Sequence, residues 1–259
     1  MSTDEVLNSI ISKRDFSQLP KKDVELAFKK FEKRQCSDEE KVRLTRDLLR
    51  KVYSAFVSSK LLNIKDKSEE WFLRKHLSTR ERQGNYEKLY NRIIKQESKT
   101  KSKVSIFDLG AGINGFSYGY FPKNLSINYT AVEAVGQLVE LMNSYFKKNR
   151  LNANAIHESL FELEKIKKLI KEKEGTKFVF LFKVLDSLEM LEPDYSKKLL
   201  QEITPLCDNV IVSFATRSMI KREKFKVNRK WIIDFIKEQF NLMDDFEIGN
   251  ERYIVFKKN

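Results

Sequence analysis

The stretch that decides the fold is IFDLGAGING, residues 106–115. An apolar, strand-like run that starts at Val104 ends in Asp108 and is followed by a Gly-x-Gly turn. About twenty residues later a second apolar run ends in Glu133. This pattern is typical of a βαβ unit that binds the adenosine half of a cofactor, because glycines let the backbone approach the ligand and the acid accepts hydrogen bonds from ribose hydroxyls. A strand, turn and helix without a ligand can show the same pattern.

Composition narrows the class of protein. The chain has 259 residues, of which 41% are hydrophobic, so it can bury the core of one large domain or of an α/β domain with an appendage. Lys and Arg number 50 against 37 Asp and Glu, which gives a net charge of +13. This excess favours a polyanionic partner such as RNA, DNA or an acidic membrane surface, although a Lys-rich surface can also serve solubility alone.

Cysteine and histidine are scarce. Cys36 and Cys207 are far apart and belong to no pairing motif, which is typical of a reduced cytoplasmic protein. With His76 and His157 they cannot form a standard zinc site, so we expect no metal. We find no apolar stretch as long as a membrane span and no signal-peptide core, and we expect a cytoplasmic protein that does not enter membranes.

Residues 1–100 have helical periodicity. Apolar residues recur three and four positions apart around Val24, Leu48 and Tyr90, and the acids of SDEE (37–40) favour a helix start. This region carries 24 Lys and Arg against 16 Asp and Glu, a net charge of +8. We predict a helical domain of about three to five helices here, with its charge forming either a solvated surface or an RNA-docking face.

From residue 104 onward, short apolar runs alternate with amphipathic segments. The predicted strands are 104–109, 127–132, 153–156, 178–182, 209–214, 242–248 and 252–256. The predicted helices are 136–149, 160–173, 196–204 and 229–240. Such alternation predicts a doubly wound, Rossmann-like α/β sheet, which we assign to residues 101–259.

The last two predicted strands are separated only by Gly249, Asn250 and Glu251. A loop that short joins antiparallel neighbours. A mostly parallel sheet of seven strands that ends in an antiparallel hairpin is the architecture of S-adenosylmethionine (SAM)-dependent methyltransferases. SAM contains adenosine but no phosphate, and we expect it here in place of a dinucleotide.

The expected cofactor site follows the ends of the first three strands. Glu133 is the candidate for the ribose hydroxyls, or else a solvated residue at a strand end. Asp108 would bind an ammonium group or cap the turn through backbone N–H groups. Glu158 would read the amino group of adenine or serve as an acid at a helix N-terminus. The other expected cofactor contacts are Gly110, Ala111 and Gly112 beneath the methionine part, with Leu160 and Phe182.

The run HLSTRER, residues 76–82, precedes the first predicted strand. Ser78 or Thr79, followed by Glu81, is a plausible helix start. Arginines beside a Gly-rich cofactor site could also clamp a carboxylate, such as that of the methionine part of SAM.

Five motifs occur in order and at fitting intervals: HLSTRER (76–82), DLGAGIN (108–114), FKVL (182–185), VSFATRS (212–218) and IGNE (248–251). Together they resemble the 16S rRNA guanine-N7 methyltransferases that confer aminoglycoside resistance, over about residues 70–259. The resemblance implies SAM-dependent methylation of a guanine N7 in the decoding site of the small ribosomal subunit. It also implies that the N-terminal helical domain docks on the assembled subunit.

The resemblance implies residue roles as well. Arg82 matches the arginine that holds the carboxylate of SAM, and Gly110 lies in the turn against the cofactor. Glu133 and Glu158 stand where the family usually has aspartates, on the ribose and near adenine. The residues that match positions around the target base are Lys183, Ser213, Thr216 and Arg217.

The chain departs from this family in three places. Residues 111–115 are AGING where the family usually has Cys-Gly-Leu-Asn-Pro, and the family's prolines near Asp186 and Ala215 are missing. The family also has a Gly-rich loop after Ser218, where residues 219–230 are strongly basic. We therefore expect the cofactor site to be retained, whereas the target nucleotide can differ.

Residues 217–230 contain seven basic residues and one acid, and they come after the fifth predicted strand, at the edge where open sheets bind ligands. They form either a solvated loop or a clamp on RNA phosphates. The candidates for RNA contact are Lys221, Arg222, Lys224, Lys226, Arg229 and Lys230. Phe182, Phe214 and Phe225 are candidates to stack on a flipped guanine, although core packing suits the first two better.

Methylation of guanine N7 needs no catalytic cysteine or histidine, because N7 has a lone pair and no proton to remove. We expect Cys207 to pack rather than to act as the nucleophile that pyrimidine C5 methylation requires. We predict a monomeric methyltransferase that uses SAM to modify guanine N7 in 16S rRNA. The alternatives are a methyltransferase for another RNA nucleotide, a small molecule or a protein, and a non-catalytic RNA-binding protein with the same fold.

Overall fold

The computed structural model describes residues 2–53, 68–75, 77–94, 103–216 and 229–259. In these ranges six helices precede the first strand, where the sequence predicts three to five. They are α1 (Thr3–Ile11), α2 (Lys21–Lys29), α3 (Asp38–Tyr53), α4 (Glu69–Lys75), α5 (Leu77–Arg82) and α6 (Tyr86–Ile94). The predicted domain boundary at residue 100 lies outside the described residues.

Seven strands form one sheet in the described part of the chain, and all seven predicted strands are confirmed to within two residues at each end. They are β1 (Lys103–Leu109), β2 (Ser126–Glu133), β3 (Ala153–His157), β4 (Thr176–Phe182), β5 (Asn209–Ala215), β6 (Asn241–Ile248) and β7 (Glu251–Lys257). Their order across the sheet is β3-β2-β1-β4-β5-β7-β6. The first five strands pair in parallel, and β7 pairs antiparallel with β5 and β6, which confirms the predicted hairpin.

Among the described residues, five α-helices accompany the strands. They are α7 (Gly136–Lys148), α8 (Leu163–Lys171), α9 (Leu185–Leu191), α10 (Tyr195–Ile203) and α11 (Lys230–Gln239). The sequence prediction missed α9, although Leu185, Leu188 and Leu191 recur three apart and are all buried. It also placed the start of α8 three residues too early.

The connection after β1 is a 3₁₀ helix, Asn114–Tyr120, rather than an α-helix. Gly115 and Gly119 are poor helix formers, and Pro122 excludes the α conformation at Phe121, which is extended. The segment is therefore too short and too interrupted to propagate an α-helix.

Stacked aromatic rings hold the preceding helices against this 3₁₀ segment. Phe72 in α4 stacks on Phe116 with ring centroids 4.4 Å apart, and Tyr90 in α6 stacks on Phe121 at 4.1 Å. Such pairs contribute roughly 0.5–1.5 kcal/mol beyond the area that they bury. On the other side of the N-terminal region, α2 and α3 contact α9. The preceding helices are thus packed directly against the segments that come after β1 and β4.

Two glycines with positive φ provide a matched test of the packing between β1 and β4. Gly175 has φ +83° just before β4, and a Cβ added there would lie 2.2 Å from the carbonyl oxygen of Lys103. Gly84 has φ +81°, but a Cβ would meet no atom within 4 Å. We expect Gly84→Ala to lower the free energy of unfolding by about 1 kcal/mol and Gly175→Ala by on the order of 3 kcal/mol. Urea unfolding measures both, and equal losses would contradict the close approach at Gly175.

Candidate cofactor-binding site

A cleft lies at the carboxyl edge of the parallel strands, next to β1. From β1 the chain adds β2 and β3 on one side and β4 and β5 on the other, so the strand order reverses at β1. Open α/β sheets bind ligands at such a reversal. The cleft contains about 730 Å³ of non-atom space, which includes open solvent at its mouth. Its lining comprises Asp23, Val52, Tyr53, Arg82, Asp108, Gly110, Ala111, Gly112, Asn114, Glu133, Ala134, Leu160, Phe182, Lys183, Val184, Ser187 and Leu188.

The glycine turn after β1 forms one wall of the cleft. The backbone N–H groups of Gly110 and Ala111 both donate to the carbonyl oxygen of Val132, at 2.8 and 3.1 Å. Gly110 has φ +73°, and a Cβ there would lie 2.5 Å from Cγ2 of Val184. Both the backbone conformation and the close approach therefore require glycine at this position.

Glu133 is held by the same turn. Its Oε2 accepts the Gly112 N–H at 2.7 Å, and its Oε1 accepts the Val135 N–H at 2.9 Å. The residue is only 7% exposed, which does not fit a solvated residue at a strand end. Burial raises the pKa of Glu133, while the backbone hydrogen bonds oppose that shift. A carboxylate has about four acceptor sites, so both oxygens can accept a further hydrogen bond from the cleft.

Gly115 completes a Gly-x-Gly-x-x-Gly spacing with Gly110 and Gly112, so glycine spacing alone does not exclude a dinucleotide. The difference lies in the segment after the turn. A dinucleotide pyrophosphate binds at the N-terminus of an α-helix, whereas this turn leads into a 3₁₀ helix. Gly115 instead permits close packing on α7, because a Cβ there would lie 2.6 Å from Cζ of Phe146.

Asp108 is buried between two hydrogen-bond donors. Its Oδ2 accepts the Tyr129 hydroxyl at 2.6 Å and the Asn114 side-chain amide at 2.7 Å. Burial raises the pKa of Asp108, and these two bonds partly offset that effect. These bonds come from side chains rather than from backbone N–H groups of the turn. Asp108 also lines the cleft. Its expected contact with an ammonium group stays a prediction.

Arg82 enters the cleft as half of a buried ion pair with Glu251. The two side chains are 3% and 1% exposed, and Arg82 donates to Glu251 from Nη2 at 2.8 Å and from Nε at 3.0 Å. Its Nη1 donates to Asn114 at 3.3 Å, and the guanidinium lies over the ring of Phe182, with Cζ 4.7 Å from the ring centroid. Guanidinium has five N–H donors, so capacity remains for a ligand carboxylate.

Lys183 and Ser213, both expected near the target base, lie together beside this ion pair. The Lys183 ammonium contacts Glu81 and lies 3.2 Å from Oε2 of Glu251. Lys183 has φ +58°, an uncommon backbone conformation for a residue with a side chain, and its N–H donates to the Ser213 carbonyl at 3.1 Å. The Ser213 hydroxyl donates to Glu251. Neither Ser213 nor Thr216 belongs to the cleft lining, and the Thr216 hydroxyl donates to Glu247 at 2.8 Å on the exposed hairpin.

Glu251 is therefore a central acid of the site, and sequence reasoning alone does not identify it. Burial opposes its ionisation, but Arg82 and Lys183 outweigh burial and lower the pKa of Glu251. The available signal was the IGNE motif. Its role becomes evident only in the sheet, where Glu251 begins β7 opposite the end of β5.

Only the end of the basic segment, residues 217–230, belongs to the described part of the chain. The predicted site residues that lie outside it are Arg217, Lys221, Arg222, Lys224, Phe225 and Lys226. Arg229 does not project as a free basic group, because it donates to Asp186 at 2.7 Å and to the Ala215 carbonyl at 2.6 Å. Lys230 is exposed at the start of α11.

Glu158 and Leu160, predicted side by side at the cofactor, separate in the structure. Leu160 lines the cleft, whereas Glu158 does not. Oε2 of Glu158 lies 3.0 Å from the Lys165 ammonium, and its Oε1 accepts the Ser159 N–H at 3.0 Å. Phe182 lines the cleft, and Phe214 is buried beneath the guanidinium of Arg229.

Other chemistries find less support in the described residues. No group of three or more potential metal ligands occurs among them, and none of their helices has both the length and the apolarity to cross a membrane. Cys207 is absent from the cleft lining, and burial raises its pKa to about 12, which disfavours the nucleophilic thiolate.

The buried ion pair predicts a pH-dependent loss of stability. We expect Glu251→Gln to lower the free energy of unfolding by about 3 kcal/mol or more at neutral pH, because it leaves Arg82 buried without its counter-charge. The lowered pKa of Glu251 means that its ionised form stabilises the fold above pH 4.5, and that this contribution disappears as pH falls through the folded-state value.

Denaturant unfolding of wild type and Glu251→Gln, from neutral pH down to values below pH 4.5, measures the effect. The matched control is Glu247→Gln in the same hairpin, where the partner is the Thr216 hydroxyl and we expect a change within about 0.5 kcal/mol. A Glu251→Gln penalty that does not shrink in acid would contradict the assignment.

Neither a protein-family model nor a curated protein sequence matches the chain. Solved structures do. The 16S rRNA methylase RmtB superposes with a TM-score of 0.77 at 19% identity, covering 100% of this chain and 99% of RmtB. The 16S rRNA methyltransferase RmtF, in complex with S-adenosyl-L-homocysteine, gives 0.79 at 18% identity and 100% of both chains. An rRNA methylase from Escherichia coli gives 0.75 at 19% identity and 99% of both chains. The chain thus has the fold of these rRNA methylases from end to end, including the helices before the sheet.

Proposed function

We propose that this protein is a SAM-dependent methyltransferase that modifies 16S rRNA of the small ribosomal subunit, at N7 of a guanine. The observation that carries the proposal is the cleft built by the 110–112 turn and Glu133, in a chain whose fold matches 16S rRNA methylases over its whole length. The structural match with RmtF, which holds S-adenosyl-L-homocysteine, supports the choice of cofactor.

The residues of the cleft fit such a cofactor. Glu133 is fixed by two backbone N–H groups and still has acceptor sites for ribose hydroxyls. Gly110 lacks the side chain that would otherwise fill the space beside Val184. Arg82 would hold the methionine carboxylate, and Asp108 the ammonium group. SAM supplies a methyl group on a sulfonium, which is a good leaving group.

The chain's contribution to catalysis is positioning. Guanine N7 attacks with its own lone pair, so no side chain has to remove a proton. Lys183 and Ser213, fixed by Glu81 and Glu251, would orient the base. Aligned proximity alone can contribute roughly 7–11 kcal/mol. Neither cysteine lines the cleft, which fits N7 methylation better than the covalent chemistry of pyrimidine C5 methylation.

RNA binding would rest on basic charge outside the cleft. The net charge is +13, of which +8 lies in residues 1–100, the proposed docking domain. Residues 217–230 would add phosphate contacts through their basic side chains, with Lys230 as the exposed described member. Acting on the small subunit would place the protein in the cytoplasm, and we propose that it works as a monomer.

Incubation of 30S subunits and of free 16S rRNA with methyl-labelled SAM tests the activity. We expect label in the rRNA, because the charge distribution suits a large polyanion. Absence of label from both substrates would overturn the proposal. SAM-dependent activity on small molecules that persists at high salt, without affinity for RNA, would favour the small-molecule alternative.

A matched pair of glycine variants tests the cleft itself. We expect Gly110→Ala to abolish SAM binding and methyl transfer, because the new Cβ collides with Val184 and strains the turn. The control, Gly84→Ala, has the same sign of φ, open space and a position outside the cleft lining, so it should retain both properties. Calorimetry with SAM measures binding, and wild-type affinity in a folded Gly110→Ala variant would place the cofactor elsewhere.

A further inference from the structure

A buried carboxylate from the N-terminal helices reaches the cleft. Asp23 in α2 is 2% exposed and lines the cleft together with Tyr53 at the end of α3. Its Oδ1 accepts the Tyr53 hydroxyl. Its Oδ2 is buried as well and has no hydrogen-bond partner among the residues that the structure describes. One oxygen of this acid is therefore anchored, and the other is free to bind a ligand.

This arrangement is unfavourable in the absence of a ligand. Burial raises the pKa of Asp23, since a carboxylate loses its hydration when it enters the protein. The Ser159 hydroxyl interacts with Asp23 and, with the Tyr53 hydroxyl, opposes that shift, but no group among the described residues meets hydrogen-bond geometry at Oδ2. A donor from a bound molecule would supply the missing bond.

The neighbours of Asp23 indicate which part of the cofactor lies there. Asp23 lies near Ser159 and Glu158, which come after β3, and it interacts electrostatically with Glu133 at the end of β2. The sheet order β3-β2-β1-β4 puts β3 beyond β2, away from the glycine turn after β1. If Glu133 binds the ribose and the methionine part lies along the turn, the adenine extends toward β3. The hydrogen-bond donor of its outer edge is the exocyclic N6 amino group.

Glu158, the residue that the sequence suggested for this contact, is less suited to it. It lies outside the cleft lining and is paired with Lys165. Asp23 comes from a helix more than a hundred residues earlier in the chain, so no motif around β3 could reveal it.

We infer that Asp23 is an adenine-recognition residue of this protein, whose Oδ2 accepts a hydrogen bond from the N6 amino group of the cofactor. The inference rests on the proposed use of SAM. In this assignment both the N-terminal helices and the sheet contribute residues to the cofactor site, and Tyr53 positions Asp23.

The test compares two ligands on three proteins by calorimetry. The ligands are S-adenosylhomocysteine and S-inosylhomocysteine, in which an oxygen replaces the N6 amino group. The proteins are wild type, Asp23→Asn and Glu158→Gln. Asp23→Asn keeps the size of the side chain and an acceptor for Tyr53, but it puts an amide in place of the free carboxylate oxygen.

We expect wild type to prefer S-adenosylhomocysteine by at least about tenfold, because a carboxylate repels the oxygen of the analogue. In Asp23→Asn this preference should fall toward one, whereas Glu158→Gln should keep it. The ligand-free Asp23→Asn protein should have a thermal midpoint equal to or above that of wild type, since a buried charge is gone. A purely structural role for Asp23 would instead lower the midpoint and leave the preference intact.

Several results would overturn the inference while leaving the proposed function standing. The first is an unchanged preference in Asp23→Asn, and the second is a loss of preference in Glu158→Gln alone. The third is a preference close to one in wild type, a measurement that does not depend on the folding of any variant. If S-adenosylhomocysteine does not bind wild type at all, the proposed cofactor is wrong, and the assignment of Asp23 falls with it.

Discussion

The ion pair between Arg82 and Glu251 is the interaction on which the arrangement of the site depends. The two residues are 169 positions apart in the chain, and both side chains are almost fully buried. Removing one partner from such a pair costs roughly 3–5 kcal/mol, because the other charge stays buried without compensation. The pair therefore fixes α5, in front of the sheet, to the hairpin at its antiparallel edge, and Ser213 and Asn114 extend the same network to β5 and to the turn after β1.

This network divides the cleft into two electrostatic regions. Arg82 and Lys183 lie beside Glu251, on the side of β4, β5 and β7, where a carboxylate and the target base would bind. Asp23 and Glu133 lie toward β2 and β3, and burial raises the pKa of both. The acids would thus face the hydrogen-bond donors of adenosine, and the guanidinium would face the carboxylate of methionine. A ligand with SAM's distribution of donors and acceptors would satisfy groups that the protein alone leaves under-bonded, as at Oδ2 of Asp23.

The sequence predicts the sheet well because each strand is a short apolar run and because the short loop at Gly249 and Asn250 forces β6 and β7 to be antiparallel. It predicts less well where local propensity is weak. The 3₁₀ segment after β1 depends on glycines and on Pro122, and α9 is a short helix recognisable only from three leucines.

The site shows the same contrast. Glu133 and the glycine turn form a local motif, and the sequence identifies them. Asp23, Glu81 and Glu251 come from distant segments, so their convergence follows from tertiary packing alone. The sequence suggests Arg229 for RNA contact on charge alone, and it does not reveal the ion pair of Arg229 with Asp186, a residue that no spacing rule connects to it.

The central claim is that the cleft serves the methylation of a guanine N7 in 16S rRNA, and the modified atom is its most direct test. N7-methylated guanosine becomes susceptible to chain cleavage by aniline after borohydride reduction, so primer extension on rRNA from treated 30S subunits locates it. The account predicts one new cleavage site, at a guanine, that requires both the protein and SAM. Methyl transfer to rRNA without any such cleavage would show that another atom is modified and would contradict the claim.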